Sequence, residues 1–506
     1  MKINSICVLG GGTAGFSVAS VLARYRELSG LEFDIQVVHS DKIGSIGVGE
    51  STLLNINSFF EYLDLDDEAW MKKCNATYKA SIRFENFNKG SHFYYPLGPM
   101  DSKIDCGYRG IHDWCRLSHY YPDVFTPEQV GTALASHGIY SEMNKLTRSG
   151  YDLDRNTAYH FDANLLGNVF KEYCEGLGVK VIDDTFKNST MKEDGSIESL
   201  VCENGTYEAD LFIDCSGFKS LLLGEVMGEE FISYDKTLIN NKALVVKVPY
   251  KDKENQLKNY TNSVALDNGW VWETPLWDRL AYGYVHTNKF ASEKEIEQEF
   301  FNHIGEEVDY KVVNFKTGRY KRGWVKNVVA VGLSYGFIEP LESTGITTTI
   351  DSIFRLIECL SMRDMNCTKL DKDSFNYSVG HRVDTTRTLV ETHYFLSMRD
   401  DTSYWKYITE EIDFDDSNTA EFTYSEFINQ ACITRTYNRE NEAAPEISYI
   451  ALGMNHSILS KAVVLGQKLD LSWDCEQYKL MRNNLEMSVR YLPSTYRFLL
   501  EDIYKT

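Results

Sequence analysis

Residues 5 to 15 read Ser5-Ile-Cys-Val-Leu-Gly10-Gly-Gly12-Thr13-Ala14-Gly15, and no other stretch limits the possible folds as tightly. Ile6 to Leu9 form the short apolar run of a buried strand, and Ala14, Val18, Val21, Leu22 and Tyr25 recur at helical spacing to about Ser29. The glycines between them match G-x-G-x-x-G. Gly10 permits a tight turn, Gly12 lets the backbone approach a pyrophosphate, and Gly15 lets helix and strand pack closely. The first helical turn, with Thr13 and Ala14, then presents unpaired N–H groups to phosphate charge. A strand over Phe33 to Val38 completes a βαβ unit. A simple glycine turn is the competing reading, and the strand before and helix after argue against it. The acid expected on the ribose at the end of the second strand is replaced by His39, followed by Ser40 and Asp41. His39 is retained as a candidate ribose contact, its alternative being a strand-end histidine with satisfied hydrogen bonds.

Downstream, Ile46-Gly-Val-Gly-Glu50-Ser-Thr52 has two glycines in four residues, suited to a loop lying close to a planar ligand. Thr77 to Phe84 alternates, with Tyr78, Ala80, Ile82 and Phe84 on one face and Lys79, Ser81 and Arg83 on the other, which predicts one half-buried strand. Ser196 to Val201, an Asn204-Gly205 turn and Ala209 to Asp214 predict a hairpin or adjacent strands. Val328 to Gly332 predicts another strand. Thr344 to Met362 then carries Ile346, Ile350, Ile353, Phe354, Ile357 and Leu360 at the spacing of an amphipathic helix. Beyond a soft boundary near residue 350 the pattern is mainly helical.

Composition narrows the function. The chain has 506 residues, enough for two or three domains, and only nine prolines, which argues for domains packed together rather than joined by stiff linkers. A net charge of −22 with no Lys/Arg cluster disfavours binding to nucleic acid, although backbone N–H groups at helix starts can still bind small anions. Eleven cysteines lack CxxC pairs, no metal-ligand spacing is evident, and Cys7, Cys202 and Cys215 sit in strand-like runs as small hydrophobes. A predicted strand from residue 3 leaves no room for a cleavable signal, and no apolar run approaches about 18 residues. A cytoplasmic location is therefore expected.

At the Gly-Val-Gly-Glu50 strap the chain begins to resemble the flavin-dependent halogenases, in their tryptophan-halogenase-like branch, whose strap reads GVGEAT or close to it. The resemblance continues through Thr77-Tyr-Lys79-Ala, His160-Phe-Asp-Ala163, Ala209-Asp-Leu-Phe-Ile-Asp-Cys-Ser-Gly217, Gly332-Leu-Ser-Tyr-Gly-Phe-Ile-Glu-Pro-Leu-Glu-Ser-Thr-Gly345, His393-Tyr-Phe395 with Asp401-Thr-Ser-Tyr-Trp405, and Leu492-Pro-Ser-Thr-Tyr496. It covers nearly the whole chain. A lysine followed far downstream by Pro-Leu-Glu-Ser-Thr-Gly-Ile is specific to that family.

The resemblance implies an α/β fold with a Rossmann-type FAD-binding domain, similar to flavin monooxygenases, packed against a mainly helical substrate-binding subdomain. The first would span 1–350, with inserted substrate-contacting segments around 85–150 and 235–320. The second would span 351–506 and cover the substrate site. FAD, used as FADH2, is expected on Gly10, Gly12, Thr13, Ala14, Gly15, His39, Gly47, Val48, Gly49, Glu50, Gly332 and Ser343. Hypohalous acid made from FADH2, O2 and halide would be delivered by Lys79, which holds it or is itself halogenated. Glu342 would polarise the oxidant or accept the ring proton. Its competing reading is a helix N-terminal acid.

Thr344 and Gly345 match the family's backbone halide ligands, at a helix start whose simple capping is a compatible alternative. Trp270-Val-Trp272-Glu-Thr274-Pro275 resembles the family's WxWxIP, with Thr for Ile, and implies a partition between substrate and flavin. An aromatic core pair is the other account.

Members acting on free tryptophan clamp the indole with a His and a Phe in a segment close to FYHxFG. Here Phe93-Tyr-Tyr95-Pro96-Leu97-Gly98 puts Tyr95 and Leu97 in those places, with Pro96 between them. Counting back from Gly453-Met454, the Glu and Trp that bind the amino-acid backbone fall near Arg435 and Glu440. The expected substrate is an electron-rich arene such as a substituted indole, phenol or other heteroaromatic rather than free tryptophan. With one dinucleotide fingerprint already given to FAD, a separate flavin reductase is expected to supply FADH2. Monomer and homo-oligomer both stay open. A flavin monooxygenase hydroxylating an arene and a non-catalytic flavin-binding protein are the two rivals.

Overall fold

In the computed structural model the described residues are 1–43, 47, 49–98, 121–124, 126, 137–414, 454 and 472–505. They form two compact units, each assembled from three stretches of chain. The first unit is Met1–Ala76, Phe161–Asp235 and Asn314–Arg387, and the second is Thr77–His160, Lys236–Val313 and Thr388–Thr506. The Thr344–Ser361 helix runs through residue 350, where sequence patterning places a boundary, and lies wholly in the first unit. Its buried face, including Ile350, Ile353 and Leu360, belongs to that core.

The first unit is built on a six-stranded sheet in the order Trp324–Val325, Val328–Ala330, Leu211–Asp214, Ser5–Leu9, Asp34–His39 and Lys180–Asp183. All pairings are parallel except that of Trp324–Val325. Ile6, Cys7 and Val8 are wholly buried, which explains their unbroken apolar run. The Thr13–Ser29 helix follows, and its Ser20 hydroxyl donates to Phe170 O (3.1 Å) on the Ala163–Gly176 helix. The predicted Asn204-Gly205 hairpin forms between Ile197–Cys202 and Thr206–Glu208, whereas Leu211–Asp214 leaves it to pair with Ser5–Leu9.

The second unit carries a seven-stranded sheet, in the order Lys311–Asn314, Lys242–Pro249, Arg279–His286, Gly269–Pro275, Tyr260–Ala265, Ser81–Glu85 and His92–Pro96. Leu244, Val246, Val271, Tyr282 and Tyr284 on one face pack against Ile296 and Phe300. Those two residues belong to the Glu293–Ile304 helix, which opens with a Ser292/Glu295 capping box.

The Thr77 to Phe84 alternation forms two strands, Thr77–Lys79 and Ser81–Glu85, in different sheets. The chain turns at Ala80, whose N–H donates to Asn259 O (2.6 Å) and whose carbonyl accepts from Leu97 N–H (2.9 Å). Both faces are covered rather than one, because Lys79 and Ser81 are as inaccessible as Tyr78 and Ile82.

Among the described residues, no helix is long and apolar enough to cross a membrane. Their eight cysteines are free and buried. In the first unit, buried Asn327 joins two sheets: its Nδ2 donates to Ile197 O (2.8 Å) and its Oδ1 accepts from Ile197 N–H (2.9 Å). Asn327→Ala would strand both backbone groups, and a loss of about 2–4 kcal/mol in urea unfolding is expected. A loss below about 0.5 kcal/mol would contradict this account of the joint.

Candidate functional site

At the end of Ser5–Leu9 the chain is shaped by close approach. Gly10 has φ of +121°, and a Cβ there would lie 2.2 Å from the Cys215 carbonyl oxygen. A Cβ on Gly15 would lie 1.9 Å from Gly10 O, whereas one on Gly12 would meet nothing within 4 Å. Asp214 fixes the Cys215 side of this contact, accepting from Ser216 N–H (3.0 Å) and Oγ–H (2.6 Å), Leu222 N–H (2.7 Å) and Leu223 N–H (2.9 Å). Gly12 enters the Thr13–Ser29 helix in extended conformation, without a side-chain cap. Closed behind Gly10 and Gly15, open at Gly12 and facing uncapped N–H groups of Thr13, Ala14 and Gly15, the turn fits a dinucleotide pyrophosphate.

His39 lies against this turn, its Cβ 2.5 Å from where a Gly11 Cβ would be. It is buried, edge-on to Phe16, with Nδ1 3.4 Å from Asp41 Oδ1. Burial and, secondarily, Lys171 lower its pKa, opposed by Asp41, Asp183 and Glu175. A neutral imidazole offers one donor and one acceptor where a carboxylate would offer acceptors alone.

Of the strap, Gly47 packs against Asn164, Gly49 is buried, and Val48 lies outside the described residues. Burial, and to a lesser degree Asp162, pushes the Glu50 carboxyl up to about 7. Asp162 caps the Ala163–Gly176 helix, accepting from Asn164 N–H (2.9 Å) and Leu165 N–H (3.2 Å). Thr13 Oγ1 donates to Ala163 O (2.8 Å), tying that helix to the glycine turn. Gly332, at φ +67°, faces Ala14, where a Cβ would come within 3.1 Å.

Glu342 closes the Pro340–Glu342 turn and is 1% exposed. Ser343 follows at φ +57°, a left-handed conformation that costs an L residue roughly 1–2 kcal/mol. Its hydroxyl donates to Ser51 Oγ (3.0 Å), beside Glu50. Ser343 leaves the Thr344–Ser361 helix without a side-chain cap, and nothing approaches within 4 Å of a Cβ built on Gly345. The helix thus starts at Thr344 and Gly345 with unpaired N–H groups, a strained turn before it and open space beside it.

In the second unit, Lys79 ends Thr77–Lys79 opposite Ala158, with its side chain fully buried. Thr77 pairs with His160, and a chain of hydrogen bonds runs through Thr77, His160 and Thr261. Sequence reasoning gave no role to His160. Its sequence signal is the His160-Phe-Asp-Ala163 motif.

Trp270 is fully buried and Trp272 partly exposed, their rings 6.0 Å apart on the face opposite Val271. Trp272 lies across Gly283, where a Cβ would enter the indole. Register puts Tyr95 beside Ile82, and alternation along the strand puts Pro96 on the other face. Tyr95 is half-buried, while Pro96 and Leu97 are buried. Arg435 and Glu440 lie outside the described residues.

The sequence profile of the family described as tryptophan halogenase matches residues 5–464. Tryptophan 7-halogenase RebH of Lentzea aerocolonigenes is 33% identical over 424 residues, which are 80% of this chain and 78% of that one. A solved apo structure of VirX1 superposes with a TM-score of 0.90 at 36% identity, covering 99% of this chain and all of that one. The crystal structure of tryptophan 6-halogenase SttH from Streptomyces toxytricini superposes at 0.83 and 30% identity, covering 99% of each chain.

Glu50 generates a pH prediction. Its folded pKa lies above the roughly 4.3 of an unfolded glutamate, so its contribution to stability is complete below about pH 4 and is lost as pH rises through about 7. In the protein without flavin, Glu50→Gln should flatten the fall in Tm between about pH 5 and about pH 8. Parallel Tm curves for variant and parent would refute the assignment.

Proposed function

The chain belongs to the tryptophan halogenase family and is a flavin-dependent halogenase using FAD; from that premise we propose how its own residues divide the reaction. Bound as FADH2, the flavin would supply two of the four electrons that O2 takes up, the other two coming from halide as it becomes hypohalous acid, with one oxygen atom leaving as water. A reductase separate from this chain delivers it in that form. The glycine turn and the start of the Thr13–Ser29 helix hold the pyrophosphate, and Gly47, Gly49, Glu50, Gly332 and Ser343 line the flavin. Thr344 and Gly345 offer halide their backbone N–H groups. Such dipoles serve where net charge would repel an anion.

Lys79 receives the hypohalous acid. A buried ammonium donates to its oxygen more strongly than a solvated one, because no water competes for the donor. The arene attacks the halogen, the O–halogen bond breaks, the departing oxygen takes a proton from the Lys79 ammonium and leaves as water, and Glu342 accepts the proton lost from the ring carbon. Full burial of Lys79, on a strand whose other residues are apolar or hydrogen-bonded, is the observation that carries this reading.

Tyr95 and Leu97 occupy the places of the indole clamp described above, with Pro96 between them. The substrate proposed is an electron-rich arene, a substituted indole, phenol or related heteroaromatic, rather than free tryptophan. The relatives named for tryptophan halogenation supply the reaction and not the pocket. Trp270 and Trp272 are assigned to keeping that arene away from the flavin.

Products of halide and arene combinations, supplied with FAD, a reductant and a flavin reductase, test this by mass spectrometry. Halide-dependent products should form on several indoles and phenols and exceed those on free tryptophan. Free tryptophan outcompeting all other arenes would refute the substrate proposal, and hydroxylated products independent of halide would refute the reaction. Lys79→Ala should lower halogenation by about 100-fold or more with FAD affinity unchanged. Retained halogenation would remove Lys79 from the mechanism.

A further inference from the structure

Thr77, His160 and Thr261 come from three strands of the second unit, Thr77–Lys79, Ala158–Phe161 and Tyr260–Ala265, and all three side chains are buried. Thr77 Oγ1 lies 3.0 Å from His160 Nδ1 and 2.6 Å from the carbonyl oxygen of Pro275. His160 Nε2 lies 2.9 Å from Thr261 Oγ1. Counting protons sets the direction of each bond. A hydroxyl has one proton, and a carbonyl can only accept, so Thr77 donates to Pro275 and accepts from His160 Nδ1–H.

Burial and the neighbouring charge of Lys79 hold the His160 pKa well below its ordinary value, so the ring is neutral and Nε2 accepts from the Thr261 hydroxyl. The hydrogen bonds therefore run one way, from Thr261 through His160 and Thr77 to Pro275.

The two ends of this relay are informative. Thr77 and Lys79 are two residues apart on one strand, so their side chains leave it on the same side. Pro275 ends the strand that carries Trp270 and Trp272. The Thr77 hydroxyl thus ties the lysine strand directly to the tryptophan strand, and the imidazole fixes that hydroxyl's orientation while tying it to the Thr261 strand. A phenylalanine would fill similar space and make neither bond, and a protonated histidine would place a second cation beside the Lys79 ammonium.

We propose that His160, protonated on Nδ1 and bonded to Thr77 and Thr261, is the positioning residue for Lys79, so that hypohalous acid passes to the arene instead of escaping to solvent. This rests on the reading of Lys79 given above. The quantity it controls is the partition of oxidised halide between product and solution, rather than the rate at which halide is oxidised.

The full-length protein with FAD, a flavin reductase and bromide is assayed for brominated arene and, in parallel, for hypobromous acid caught by a soluble β-diketone. In His160→Phe and in Thr261→Val, which breaks the other end, the ratio of product to trapped hypobromous acid should fall by about 10-fold to 100-fold, with FAD affinity held. His160→Asn, which keeps one donor and one acceptor, should recover part of the ratio. An unchanged ratio in folded His160→Phe or Thr261→Val, or a loss of FAD binding and of both products in proportion, overturns the proposal. If His160→Phe does not fold, Thr261→Val and His160→Asn decide it by the same ratio. Lys79→Ala is run beside them. A lowered ratio there with the parent ratio in the His160 and Thr261 variants overturns this inference alone, whereas a parent ratio in Lys79→Ala overturns the reading of Lys79 beneath it.

Discussion

Two helices of the first unit begin without a side chain to cap them, and the chemistry proposed for this protein depends on what their free backbone N–H groups face. The Thr13–Ser29 helix starts after extended Gly12, and the Thr344–Ser361 helix starts after left-handed Ser343. Either start would be stabilised by an ordinary Ser, Thr, Asp or Asn cap worth about 1 kcal/mol. Ser343 sits in the cap position and turns its hydroxyl to Ser51 instead. A chain of net charge −22 thereby keeps two sets of main-chain donors available to anions, with fields that act within the first turn and are little affected by distant carboxylates.

That dependence explains why the first unit was so readable in the sequence. A phosphate-binding turn made of backbone must contain residues without side chains, so Gly10, Gly12 and Gly15 appear as letters at fixed spacing. The structure shows each meeting a different constraint: a carbonyl behind Gly10, open space at Gly12 and the turn itself behind Gly15. Strand and helix periodicity located Ser5–Leu9, Thr13–Ser29 and Thr344–Ser361 to within about a residue or two, because each has a buried stripe or a buried run.

What periodicity missed was tertiary. Lys79 and Ser81 alternate with apolar neighbours, and by pattern alone they describe a face in water. In the fold they lie on strands of two different sheets and both are buried, and nothing local to residues 77–84 announces it. Thr206–Glu208 took the hairpin position and left Leu211–Asp214 to the central sheet, a choice made by burial in that sheet rather than by the Asn204-Gly205 turn. The Thr77–His160–Thr261 chain joins residues up to 184 positions apart, so the sequence held its members without their connection. It held Asp214 in the same way, as a motif letter whose four donors only the fold assembles.

The distribution of departures from the family pattern follows from the same division of labour. Recognition by backbone tolerates almost no substitution, since any Cβ at Gly10 or Gly15 would collide with the chain. Recognition by side chains can be rewritten one residue at a time. Tyr95 and Leu97, which stand in place of the clamp pattern of the free-tryptophan enzymes, and Thr274, which stands for Ile in the family's WxWxIP, all lie in the second unit. In the first, His39 stands where an acid is expected and Ser51 where the strap has Ala, and both changes are again in side chains. In the proposed division of labour the pyrophosphate and the halide fall to main-chain N–H groups, whereas the oxidant and the arene fall to side chains, so substitution can reach the arene without touching the two anion sites.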